Sequence, residues 1–258
     1  NQIEKGLILY REMQLSKAIM NDVTCICILQ IGNKIGSLEL VKEVHFNIVS
    51  ANYESLSAVV ATLIHAYGSC GSMEDAYMLF NDIPEDERDV VTWNAFIALL
   101  AGEGNTEKTL EMFEKMKDAN VKPNESTFNS ILLTCCRTGF VVEGVKYFHA
   151  MIKDHGISPN IRHYGILLDL LGRAGDFNGV KQTLESMPME APITIWLSLL
   201  AACKMHGNVE VAKEAFAQAV RLQPEDDSAY VLMSNIYSEA GMEQLAAKVK
   251  YSLDRRVE

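Results

Sequence analysis

The side chains best equipped for chemistry in this sequence are six cysteines and six histidines, and their spacing argues against a catalytic or metal centre. Cys25 and Cys27 stand too close for the usual zinc pair, Cys135 and Cys136 are adjacent, and no Cys-x-x-Cys occurs. None of His45, His65, His149, His155, His163 and His206 is followed two residues later by glutamate, so the signature of a zinc deaminase is absent. Gly102-Glu103-Gly104 has neither a preceding strand nor the third glycine of a nucleotide fingerprint. No polar constellation converges as a reaction centre requires. An enzyme is not expected, and neither a metal nor a cofactor is implied.

The elements that hold these residues are far more regular. In VVTWNAFIALLAGEGNTEKTLEMFEKMKDANVKPN, residues 90–124, Trp93, Phe96, Ile97 and Leu100 recur three and four apart and share one helix face. Gly102 and Gly104 end that helix. Thr106 with Glu107 opens a second, whose Leu110, Phe113 and Met116 fall on one side before Asn120 and Pro123 stop it. Neither helix can bury its stripe alone. With Gly104 as anchor the unit recurs at Gly36, Gly71, Gly139, Gly175, Gly207 and Gly241, at spacings of 35, 33, 35, 36, 32 and 34 residues. Eleven residues before each glycine stand Cys25, Val60, Trp93, Phe128, Tyr164, Trp196 and Tyr230; eight before stand Ile28, Leu63, Phe96, Ile131, Leu167, Leu199 and Met233. A period in this range predicts an all-α solenoid of stacked helix pairs.

Composition fits one array rather than separate globular domains. Of the 258 residues 48% are hydrophobic, enough for a continuous core, and six prolines leave no Pro-rich linker. No apolar run reaches the length of a membrane span. Cysteines scattered through helical stripes point to a reducing compartment rather than a disulfide framework. Residues 1–21 read as the second helix of a truncated repeat. Units follow at 22–56, 57–89, 90–124, 125–160, 161–192, 193–226 and 227–258. Charge runs such as Glu85-Asp86-Glu87-Arg88-Asp89 and Glu107, Glu111, Glu114 and Lys115 read as solvated faces.

Residues 90–124 resemble a pentatricopeptide repeat, and their neighbours resemble the long and short variants of the plant PLS subclass. NDVTCICILQIGNKIGSLELVKEVHFNIV and ESTFNSILLTCCRTGFVVEGVKYFHAMIKDHGISPN are similar to long-type units. LIHAYGSCGSMEDAYMLFNDIP and HYGILLDLLGRAGDFNGVKQTLESMP are similar to short-type ones, and residues 193–258 to two E-type repeats. The resemblance implies a right-handed superhelical α-solenoid in a chloroplast or mitochondrion. It also implies a specificity factor of C-to-U RNA editing that binds single-stranded RNA and recruits a DYW-type deaminase in trans. Multiple organellar RNA editing factors are the implied further partners, with no membrane.

In that family one repeat reads one base, through a side chain ten residues before the turn glycine and another at the end of the unit. Carried onto this sequence, the pairs are Ile26 with Leu56, Ala61 with Asp89, Asn94 with Asn124, Asn129 with Asn160, and Gly165 with Pro192. Asn94 and Asn124 match the combination associated with pyrimidine, C before U, and Asn129 and Asn160 look alike in a long-type unit. Ile26, Leu56, Gly165 and Pro192 offer no side-chain hydrogen bond. Both asparagines of the 94/124 pair carry donor and acceptor, so either orientation on a pyrimidine is expected to be open to them.

Charge complicates an RNA-binding role, since 23 Lys and Arg face 34 Asp and Glu, a net of −11. The first fourteen residues of the units hold five basic residues (Lys34, Arg137, Arg162, Arg173, Lys204) and six acidic ones, so the expected groove is nearly neutral. Backbone contacts then fall to Lys34, Arg137 and Arg173. Trp93, Trp196, Phe128 and Tyr164 share the phase of the apolar stripe and read as core rather than stacking platforms. Cys135 recurs in phase with Cys203 as a small core residue. The competing expectation is a tetratricopeptide-like protein-interaction scaffold, consistent with the acidity and with the LQPEDD turn around Pro224.

Overall fold

The computed structural model describes residues 2–16, 18 and 20–254. Among them are fifteen α-helices, one 3-10 turn at Glu85–Glu87 and no strand. Helix α1 (Gln2–Leu15) precedes a run of helix pairs: α2 (Asp22–Ile35) with α3 (Leu38–Ser50), α4 (Ser57–Ser69) with α5 (Met73–Asp82), α6 (Val90–Gly102) with α7 (Thr106–Asp118), and α8 (Glu125–Thr138) with α9 (Val141–Lys153). The run continues with α10 (Ile161–Arg173) and α11 (Phe177–Ser186), α12 (Ile193–His206) and α13 (Val209–Leu222), and α14 (Asp227–Glu239) and α15 (Glu243–Asp254). The chain forms two compact units, Asn1–Ile131 and Leu132–Glu258. None of the described helices is long and apolar enough to cross a membrane.

The repeated glycine has a backbone reason. All seven anchor glycines adopt positive φ, between +65° and +77°, where a Cβ would be strained. At Gly36 and Gly207 this left-handed residue is the C-cap of a first helix, its N–H donating back to that helix's last turn. The chain then reverses into the second helix.

Packing follows the two apolar positions read from the repeat. Ile28, Leu63, Phe96, Ile131, Leu167, Leu199 and Met233 are all buried. In the first unit α2, α4 and α6 pack in succession, each against its own second helix as well. In the second unit α10, α12 and α14 do the same. Aromatic stacking adds to the first core, where the Phe80 ring lies parallel to Phe96 at 4.2 Å and edge-on to Trp93 at 5.0 Å. Such pairs contribute about 0.5–1.5 kcal/mol beyond the area they bury.

Unequal unit lengths arise mainly in the second helices and the turns after them. Helices α5 and α11 have 10 residues each, and both end two residues before a proline. Ile83 (φ −75°, ψ 126°) and Met187 (φ −66°, ψ 127°) are extended, as the rings of Pro84 and Pro188 require of their predecessors.

Three details depart from the sequence reading. Trp196 is only half-buried, although Trp93, Phe128 and Tyr164 are buried; its indole Nε1–H donates to the Ala191 carbonyl at 3.1 Å, which holds the ring at a surface groove. Helix α7 buries Thr106, Thr109, Met112, Phe113 and Met116, leaving Leu110 half-buried, because the stripe drifts round the helix. Arg88 is no solvated charge: its guanidinium lies 4.6 Å from the Phe80 ring centroid and donates to the Ile83 carbonyl.

Candidate nucleic-acid interface

Helices α2, α4 and α6 line a groove of about 630 Å³ in the first unit. Its polar lining comes from Gln30, Asn33, Thr62, His65, Asn94 and Asn124. Asn33 Nδ2 lies 3.4 Å from His65 Nδ1, which also meets the Ser69 hydroxyl at 3.0 Å. The groove therefore presents amides and hydroxyls rather than charge.

At its α6 end the side chains form a connected set. The Asn124 carbonyl oxygen accepts from the Ser126 N–H at 3.0 Å and the Thr127 N–H at 3.2 Å, capping α8. The same oxygen accepts from Asn94 Nδ2 at 3.0 Å. Thr127 closes the ring: its hydroxyl donates to Asn94 Oδ1 at 2.6 Å and accepts from the Asn124 N–H at 3.0 Å. Thr127 is fully buried, Asn94 half-buried and Asn124 exposed. In the structure the two amides take one orientation. Asn124 Oδ1 accepts three bonds and Asn94 Oδ1 one, and the ring makes no use of the Asn124 NH₂ or of the second proton of Asn94 Nδ2.

The other pairs are arranged differently. Asp89 caps α6 by accepting from Thr92 N–H at 2.9 Å and the Thr92 hydroxyl at 3.0 Å. Burial pushes the Asp89 carboxyl up, but hydrogen bonds from the Thr92 N–H, the Ser57 and Thr92 hydroxyls and the Val91 N–H outweigh it and hold the carboxyl below its usual value. Ser57 is thus the hydrogen-bonding residue on the preceding first helix, while Ala61 offers only a methyl group. Asn129 lies in the first unit with a buried carbonyl oxygen that has no partner among the described residues. Asn160, in the second unit, caps α10 through bonds from Arg162 N–H and His163 N–H, and His163 Nδ1 accepts from the Asn160 N–H. Leu56 and Pro192 precede α4 and α12 without a side-chain cap.

The corresponding groove of the second unit, about 410 Å³, sets Ile161, Ile166, Pro192 and Ile195 beside the polar Arg162, Asp169, Thr194 and Ser198. At its edge Arg173 Nε donates to Asp169 Oδ2 at 2.9 Å, and the Cys136 thiol donates to the same oxygen at 3.2 Å. Arg173 is thus not a loose cation but an exposed ion pair of the kind that contributes about 0–1 kcal/mol. Lys34 and Arg137 stand exposed in the last turns of α2 and α8. Burial, reinforced by Asp169, pushes the Cys136 thiol up to about 12, and burial alone does the same at Cys203. Both are packing residues rather than nucleophiles. Among the described residues no three His, Cys, Asp or Glu side chains cluster as metal ligands.

Sequence reasoning passed over Thr127, Ser57 and His65. For Thr127 a signal existed: threonine recurs at the third position of α2, α6 and α8, as Thr24, Thr92 and Thr127. A recurrence in register with the cap marks a side chain bound to that cap.

Comparison with known proteins converges on one family. Residues 60–87 and 126–155 match the PPR repeat, residues 88–137 the PPR repeat family and residues 206–256 the E motif. A mitochondrial pentatricopeptide repeat-containing protein of Arabidopsis thaliana is 36% identical over 242 residues, covering 93% of this chain and 27% of its own length. A chloroplastic one from the same plant is 36% identical over 251 residues, covering 97% of this chain and 31% of its own length. The chain thus spans about a third or less of these two relatives. Among solved structures, the pentatricopeptide repeat protein PPR10 in complex with an 18-nt psaJ RNA element aligns at TM-score 0.58 and 18% identity, over 97% of this chain and 42% of that one. PPR10 from maize aligns at TM-score 0.52 and 16% identity, over 99% and 47%. At such identity the likeness is one of fold, that of a helical-repeat solenoid. With repeats matched from residue 60 to 155 and an E motif from 206 to 256, the chain belongs to the pentatricopeptide repeat family.

Proposed function

We propose that this chain is part of a single-stranded RNA-binding specificity factor of organellar C-to-U editing, built from PLS-type repeats and acting without catalysis of its own. The observation that carries the RNA-binding reading is the ring of Asn94, Asn124 and Thr127 at the wall of the first groove, which engages the amide oxygens and leaves amide N–H donors over. Such donors suit cytosine, whose N3 and O2 are adjacent acceptors, better than uracil, whose N3 carries a proton. The E motif and the chloroplastic and mitochondrial names of the relatives support the organellar editing role. A DYW-type deaminase would be engaged in trans from the E-type end, and organellar editing factors would occupy surfaces that read no base. The isoleucines Ile161, Ile166 and Ile195 in the groove of the second unit, where side-chain amides are lacking, favour a protein-docking role for that half of the chain, as a tetratricopeptide-like scaffold would have.

Fluorescence anisotropy with pyrimidine-rich and purine-rich single-stranded RNA, at low and moderate salt, tests the reading. Pyrimidine-preferring binding is expected, with a shallow salt dependence because the grooves carry little net charge. Equal or absent binding to both RNAs would leave only the scaffold.

A further inference from the structure

We infer that Thr127 is a specificity-determining positioning residue, which sets the C-over-U preference of the first groove by fixing the orientation of the Asn94 amide without touching the base; this rests on the RNA-binding reading above. The Asn94 amide is oriented by a succession of contacts that starts in the backbone. The N–H groups of Ser126 and Thr127 at the start of α8 can only donate, so the side-chain atom of Asn124 that meets them must be its carbonyl oxygen. That oxygen then faces Asn94, which must present Nδ2 to it, since two carbonyl oxygens at that separation would repel. Asn94 Oδ1 is thereby turned towards Thr127. The Thr127 hydroxyl has one proton, and its oxygen already accepts from the Asn124 N–H. The proton goes to Asn94 Oδ1 at 2.6 Å rather than to Asn124 Oδ1 at 3.2 Å, an atom that already accepts three bonds. Asn124 Oδ1 is thus fully engaged inside the ring, and Asn94 Oδ1 is held towards Thr127.

Comparison along the chain isolates what is particular to this position. Thr24 and Thr92 occupy the same place on α2 and α6, but their hydroxyls donate to the capping side chains, Asn21 at 2.7 Å and Asp89 at 3.0 Å. For Thr92 the preceding first helix has Ala61 where α6 has Asn94, so no amide is there to be held. At the third position of α10, α12 and α14 stand His163, Ile195 and Ala229, none with a hydroxyl. Thr127 combines the hydroxyl, complete burial and an amide neighbour on the previous first helix. Without its proton nothing would hold the Asn94 carbonyl inside the ring, and it would swing to the groove about the remaining Nδ2–Asn124 bond, where it would accept the N3–H of uracil. The C-over-U preference would then disappear while the remaining donors kept binding intact.

The experiment is competition binding of the 258-residue chain to pyrimidine-rich single-stranded RNAs in which one position at a time is C or U, with Thr127→Val, Thr127→Ser and Thr127→Cys beside the unaltered protein. The expected result is a C preference at one position for the unaltered protein and for Thr127→Ser, falling to parity in Thr127→Val at matched helicity and thermal stability. A merely structural threonine would lower affinity for C and U alike and leave their ratio unchanged, and that result overturns the inference while the RNA-binding reading stands. If Thr127→Val does not fold, Thr127→Cys decides, because its thiol fills the same space with a weak donor; an undiminished ratio there overturns the inference too. Failure of the unaltered chain to bind any of the RNAs overturns the reading of function, and this inference with it.

Discussion

The two grooves of this molecule are built from the same repeat and differ in what the repeat carries. In the first unit α2, α4 and α6 place Asn33, Thr62, His65 and Asn94 along the wall, with Asn124 at its end. In the second, α10 and α12 place Ile161, Gly165, Ile166 and Ile195 there, with Pro192 at the matching junction. The scaffold tolerates the exchange because most of these positions lie at the groove surface, Ile195 alone being buried, while the core is set mainly by residues eight and eleven before each glycine. One backbone solution thus carries a network of side-chain amides in one half and, in the other, branched apolar side chains beside Arg162, Asp169, Thr194 and Ser198. A solenoid achieves this because each repeat packs only on its neighbours.

The largest effect expected from disturbing this contrast is removal of the amide pair. Asn94→Ala together with Asn124→Ala should weaken pyrimidine-rich RNA binding by about 1–3 kcal/mol, the usual range for a base-reading pair. It should also lower thermal stability by about 1 kcal/mol through the lost cap. Pro192→Ala, at the matching place of the second unit, should change neither by a comparable amount. Equal losses from both changes, read by anisotropy and thermal unfolding, would erase the distinction between the grooves.

Asn124→Asp should act on preference rather than affinity. One carboxylate oxygen can keep capping α8 while the other faces outward as an acceptor, so the C-to-U ratio should shift towards U by about 1 kcal/mol, the bottom of the range for one base. Competition between two RNAs differing only at that base measures it. An unmoved ratio with intact binding would mean that Asn124 does not face a base.

The converse change would make the second groove resemble the first. At Gly165 an added Cβ would meet only Ile195 carbons, at 3.9 Å, and Pro192 already has extended backbone at φ −69°, ψ 162°. Gly165→Asn with Pro192→Asn should therefore fold, add about 0.5–1 kcal/mol through a new cap on α12, and raise RNA affinity by a similar amount. Unfolding midpoints and anisotropy check the two parts separately.

The smallest effect belongs to acid pH. Because Asp89 has a depressed carboxyl in the folded chain, its contribution is present above the unfolded value of about 3.9 and is lost as pH falls through the lower folded value. Asp89→Asn keeps a cap on α6 but removes this titration. The acid limb of the stability profile should become shallower in the variant, and superimposable limbs would deny Asp89 that role.

The fold was legible in the sequence because its determinants are local and repeated. The glycine that must take positive φ and the two apolar positions before it recur often enough to be read without a structure, as at Gly36, Cys25 and Ile28. The candidate site was legible only in part. The pair Asn94 and Asn124 could be named from its resemblance, but the orientation of two amides depends on Thr127, which meets Asn94 only once α6 and α8 are packed. The engagement of Arg173 by Asp169 and the exposure of Trp196 were hidden for a related reason. Helical phase locates a face, whereas partnership within that face is decided by rotamers and neighbours.

The residue that ends each unit is also the first residue to touch the next helix. Asn21, Asp89, Asn124, Asn160 and Asp226 all hold the amino end of the following first helix, whereas Leu56 and Pro192 cannot. Any vocabulary written at these positions is therefore filtered by folding. Short side chains with an oxygen, chiefly Asn, Asp, Ser and Thr, can both close a helix and meet a ligand, so the usable alphabet is smaller than the genetic one. A substitution there alters the firmness of the following repeat and, on the proposed reading, its base preference as well. Two spellings of equal binding strength can then differ in how readily the chain folds and accumulates in the cell.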